Sequence, residues 1–94
     1  MKNLFFKATQ KQKQALEGLA YWIADVNYIK ERFGSDDPEL KKCDDTIQLC
    51  IFPELDALHV PFWVQNIVIS WAENWRQYKE YYFSDAMKKY NIIL

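Results

Sequence analysis

The run Val60-Pro61-Phe62-Trp63-Val64-Gln65-Asn66-Ile67-Val68-Ile69-Ser70-Trp71-Ala72-Glu73-Asn74-Trp75-Arg76-Gln77-Tyr78-Lys79-Glu80-Tyr81-Tyr82-Phe83 holds three of the four tryptophans of a 94-residue chain, and any fold must first cover it. Pro61 suits the first turn of a helix, where its missing amide is no loss and its fixed φ is already helical. Placed on a helical wheel, Val64, Ile67, Val68, Trp71, Trp75, Tyr78 and Tyr82 fall within an arc of about 100°. Gln65, Asn66, Ser70, Glu73, Arg76, Gln77 and Glu80 take the other side. The pattern predicts one amphipathic helix over 61–83, with Trp71, Trp75 and Tyr78 turned into the core.

Working back from it, Thr9 and Gln12 make a Thr-x-x-Gln capping pair that starts a helix over 9–33, and Gly34 offers the positive-φ position that ends it. Ala15, Leu16, Leu19, Trp22, Ile23, Val26, Ile29 and Phe33 form its apolar stripe, interrupted by Lys30. Asp37 and Pro38 are a second start signal, as N-cap and first helical residue. Leu40, Cys43, Ile47, Cys50, Ile51, Leu55 and Leu58 then keep a helical period over 37–58. Pro53 lacks an amide donor and clashes with the turn before it, so this helix is expected to kink or break there.

Residues 1–8, with Leu4, Phe5 and Phe6, read as an arm laid on the core, and 84–91 as a short last helix or an extension of the third. Ile92, Ile93 and Leu94 form an apolar tail that needs cover. With only two glycines and three prolines there is little material for hairpin turns. The expected fold is all-α: a single domain over 1–94, built as a small antiparallel three-helix bundle with a Pro-kinked or split second helix and a short C-terminal helix.

The charge balance excludes more than it suggests. A net charge of −1 provides no overall attraction to nucleic acid or anionic lipid. Lys2, Lys7, Lys11 and Lys13 nevertheless precede the first acid, Glu17, whereas 36–56 carries seven acids against two lysines. Capping and solvated helix faces account for most of this asymmetry. No secretion signal is read, because Lys7 follows the short apolar run at Leu4–Phe6. Nor is a membrane span, since the richest apolar run includes Gln65, Asn66 and Ser70. Cys43 and Cys50, seven apart on one helix, would sit about 10.5 Å apart along its axis, too far for a disulfide. Free, buried thiols suit a reducing compartment, so the expected location is cytoplasmic.

Catalytic groups are hard to assemble. His59, the sole histidine, has no partners at metal-ligand spacing and reads as a turn residue. Cys43 has Lys41 and Lys42 beside it to lower its thiol pKa, opposed by Asp44 and Asp45, but has no base at hand. Asp36 and Asp37 are explained by capping. The expectation is a protein without catalytic residues, metal or cofactor.

What remains is apolar surface on the wrong faces. Tyr21 and Tyr28 project away from the stripe of the first helix, and Phe62 and Ile69 away from that of the third. Either the arm or the tail folds over these two pairs, or they meet a protein partner or a second copy of the chain. The expected function is that of a non-enzymatic interaction protein, a small inhibitor that occludes its partner. Analogy of size suggests the immunity, antitoxin or phage anti-defence proteins of mobile elements. The alternative is a nucleic-acid accessory protein using Lys7, Lys11 and Lys13.

Overall fold

The computed structural model describes residues 4–94. It is mostly helical, with one two-stranded ribbon. The centre of the molecule is helix α1 (Gln10–Phe33), against which α2 (Pro38–Thr46), α3 (Phe52–Ala57), α4 (Phe62–Ala72) and α5 (Trp75–Glu80) all pack. Its start is fixed as expected. The Thr9 hydroxyl accepts from the Gln12 amide at 3.2 Å, and the Gln12 side chain accepts from the Thr9 amide at 2.9 Å. Gln12 also donates its Nε2 to the Leu58 carbonyl, tying this end of α1 to the end of α3. Gly34 ends α1 at φ 94° and ψ 165°, a region essentially reserved for glycine.

Ala15, Leu16, Leu19, Val26 and Ile29 of the expected stripe are buried, Trp22 and Ile23 half-buried, and Phe33 stands exposed beyond the last packed turn. Ala20 and Ala24 are buried as well. Their small side chains admit neighbours on a flank that the apolar stripe does not include.

The second segment resolves the choice at Pro53 in an unexpected way. Helix α2 opens with Asp37 accepting from the Glu39 amide, then passes through a π-helical turn, Ile47–Ile51, into α3. The Phe52 amide reaches back five residues to the Ile47 carbonyl, so the wider turn directly precedes the proline. Repeated four-residue spacings drift by about 40° each on a helix of 3.6 residues per turn, and one π-turn absorbs that drift. Ile47 and Leu55 therefore both stay buried, while Leu49 and Cys50 bulge into solvent. Cys50 is thus not a core thiol. Helix α3 closes in a Schellman motif with His59 at φ 57°. The His59 amide bonds to the Asp56 carbonyl, the Val60 amide to the Leu55 carbonyl, and Val60 and Leu55 meet in the core.

The third segment is not one helix over 61–83, and three helices of matched length are not formed. Helix α4 stops at Ala72 and α5 starts at Trp75, with the Asn74 side chain accepting from the Arg76 amide at 3.2 Å. Gln77 donates its side chain to the Trp71 carbonyl across the break. The break turns Trp75 out of the stripe it shares with Trp71: Trp71 is buried in the core, whereas Trp75 is half-buried beside α1. Tyr82, expected on the apolar arc, is 81% exposed in the linker before helix α6 (Phe83–Lys88). Gln65, expected on the polar side, is buried with its Nε2 donated to the Val60 carbonyl at 3.1 Å.

The chain ends meet each other. Strand β1 (Phe6–Lys7) pairs in parallel with β2 (Ile92–Ile93), Phe6 opposite Ile92 and Lys7 opposite Ile93. Ile92 and the α6 residue Met87 are fully buried and complete the main cluster around Leu16, Leu19, Val64 and Val68. A second cluster joins Val26 and Ile29 to Leu40, Cys43 and Ile47. Among the described residues, no helix is long and apolar enough to cross a membrane.

Candidate functional site

Because the chain breaks at Asn74, α5 lies across the flank of α1 that carries Tyr21 and Tyr28. Tyr28 meets the Trp75 ring edge to face, with centroids 5.0 Å apart. Tyr21, Asp25 and Tyr28 on α1, and Trp75, Tyr78 and Lys79 on α5, with Ala24 as the floor, line a half-open groove of about 280 Å³. Burial pushes the Tyr78 phenol above its ordinary value, and the proximity of Tyr21 and Glu17 adds to the shift. Lys79 lays its ammonium over the rings of Tyr28 and Trp75, 5.9 and 5.8 Å from their centroids.

One edge of the groove is held by a polar clamp. Glu31 accepts from the Trp75 indole and takes the Arg76 guanidinium on both carboxylate oxygens. Arg76 also stacks on Trp75 at 4.4 Å. These hydrogen bonds, Arg76 first and Trp75 second, hold the Glu31 carboxyl below its ordinary value. They fix the indole plane, so Trp75 meets whatever enters the groove in one orientation.

The two off-face pairs expected to act alike therefore part company. Tyr28 is covered by Trp75, a residue of another helix, and among the described residues neither arm nor tail lines this groove; Tyr21 remains 49% exposed at its rim. On α4, Ile69 is half-buried and packs against the main core, which corrects its placement on the opposite face. Phe62 is 74% exposed, at the edge of a smaller cleft that Ile69 shares with Phe52, Asp56, Gln65 and Asn66. A cleft of about 400 Å³ between α5 and α6 has Tyr81, Tyr82 and Tyr90 on its walls, with Lys89 beside them. Its signal was present in the Tyr81-Tyr82 pair, which a single helix over 61–83 would have split between two faces.

The remaining candidates are not drawn into a common site. Lys7 and Lys11 are exposed and Lys13 partly so; Lys2 lies outside the described residues. Cys43 is buried, and its Sγ donates to Asp25 Oδ2 at 3.8 Å. Burial and then the Asp25 charge push the thiol upward, so Lys41 and Lys42 do not activate it as their spacing suggested. His59 serves the turn after α3. Among the described residues, no group of three or more His, Cys, Asp or Glu side chains is placed to hold a metal ion. No protein-family model, curated protein or solved structure matches the chain.

Proposed function

We propose that this chain is a non-enzymatic protein-binding module that acts by occluding a protein partner, as a small inhibitor of the immunity, antitoxin or phage anti-defence kind would. The observation that carries the reading is the outward display of Phe62 and Tyr82, 74% and 81% exposed, on a fold whose core is closed without them. Large aromatic groups, with only two side-chain torsions each, lose little conformational freedom when a partner covers them, and they dominate the energetics of interfaces. The two free thiols suit action in the cytoplasm. A homodimer built on the same residues is one form of this reading.

Phe62→Asp and Tyr82→Asp test it, because neither side chain supports the core. Both variants should keep the wild-type circular dichroism and melting temperature, and each should lose the protein that cross-linking captures on the wild type in its native cells. Identical capture by wild type and both variants would overturn the reading. Light scattering addresses the homodimer separately: a monomer mass at every concentration removes that form alone.

The alternative, a nucleic-acid accessory protein, is favoured by Lys7 and Lys11 standing exposed alongside the exposed Phe5. It requires binding that weakens steeply with salt and with Lys11→Glu plus Lys13→Glu. A low-salt gel shift that never appears would dismiss it.

A further inference from the structure

We infer that the groove between α1 and α5 is a binding site for the quaternary ammonium head of a small molecule of the choline type. Tyr21, Tyr28, Trp75 and Tyr78 line it, the rings of Tyr28 and Trp75 already have a cation over them, and Asp25 adds a carboxylate. Aromatic faces carry negative potential, and several rings around one cavity are the arrangement that recognises an alkylated ammonium, whose charge is spread and whose water is weakly held. A neutral apolar group would gain the contact but not the charge.

The groove already holds a cation of its own. The Lys79 ammonium sits over two of the rings at close to the 6 Å limit of useful attraction, and no carboxylate lies within salt-bridge distance of it among the described residues. It is a poor occupant, because a primary ammonium prefers water and this side chain is exposed. Lys79 thus shows where a positive head group rests, and swinging out into solvent would vacate the place. The other nearby cation, Arg76, is neutralised by Glu31, so it does not repel a ligand. Asp25, which lines the groove itself, is the nearest charge to draw the ligand in, with Glu17 close to Tyr78 adding to the negative field. It also receives the Cys43 thiol, which orients the carboxylate from behind.

This site is independent of any protein partner and can be tried with the isolated chain. The indole N–H resonance of Trp75 reports on it directly, since that hydrogen is held by Glu31 at the groove's edge. Choline and tetramethylammonium should shift this resonance saturably. The uncharged isostere of choline, 3,3-dimethylbutanol, should do so at least tenfold more weakly. Lys79→Ala should tighten choline binding several-fold by removing the internal competitor, and Asp25→Asn should weaken it several-fold. The inference is overturned by any one of three results: no saturable shift up to tens of millimolar choline, equal binding of the uncharged isostere, or weaker binding in Lys79→Ala. Lys79 is exposed, circular dichroism of Lys79→Ala checks that it is folded, and the first two results are read on the wild type and do not depend on the variant.

Discussion

Trp75 meets Tyr28 edge to face across the junction of α5 and α1, with ring centroids 5.0 Å apart and planes at 86°. This contact fastens a six-residue helix, too short to persist alone, to the longest helix of the fold. In a double-mutant cycle, Tyr28→Ala and Trp75→Ala should show a coupling of about 0.5–1.5 kcal/mol in chemical denaturation, the range of such pairs. Strict additivity would mean that α5 is held by other contacts.

The same junction makes stability depend on acid. Folding lowers the Glu31 pKa from its ordinary value of 4.5, chiefly through Arg76 and then Trp75. A carboxyl lowered in this way contributes its full stabilisation above the unfolded value and loses it as pH falls through the folded one. Between pH 7 and pH 3 the wild type should therefore lose more stability than Glu31→Gln, with the difference confined to the region below about pH 5. Urea midpoints measured at several pH values for both proteins check this. Parallel profiles would show that the clamp is not formed in solution.

The two glycines should respond in opposite directions. A Cβ added at Gly18 would meet only Ile51 Cδ1, at an ordinary 3.6 Å, so Gly18→Ala should stabilise the protein by about 0.5–1 kcal/mol. At Gly34 there is space, but φ is +94°, so Gly34→Ala should destabilise it by about 1 kcal/mol or more. Thermal melts of the two single variants give both signs.

The thiols should separate just as clearly. Cys50 is exposed on the π-turn, whereas Cys43 is buried with its pKa pushed up. At pH 8 a disulfide reagent should modify Cys50 rapidly and leave Cys43 unmodified until the protein unfolds. Mass spectrometry of a time course should find one addition in native buffer and two in denaturant. Rapid double labelling in native buffer would place Cys43 at the surface.

Local signals in the chain were legible and distant ones were not. Thr9 with Gln12, and Asp37 with Pro38, act within a few residues of themselves, and both starts form where the sequence puts them. Asn74 is a signal of the same kind, with Gln77 three residues later, but the apolar period runs smoothly from Val64 to Tyr78 and conceals it. Missing that one cap moved Trp75 from the groove into the core. The off-face position of Tyr21 and Tyr28 was visible on the helical wheel, yet their cover by α5 depends on the break and so could not be read. Pro53 announced a disturbance but not its form, because a π-turn is chosen by what must be buried on both sides of it. The pairing of Phe6 with Ile92 leaves no local trace at all.

That pairing also sets an order of events during synthesis. Leu16 and Leu19 leave the ribosome well before Met87 and Ile92, which complete the cluster that covers them. Contacts between positions so far apart are slow to form, because the intervening chain must first be brought round. Until Met87 and Ile92 have been made and brought round, the apolar side of α1 stands open to whatever is nearby, and the nascent chain must be kept from sticking for all of that time.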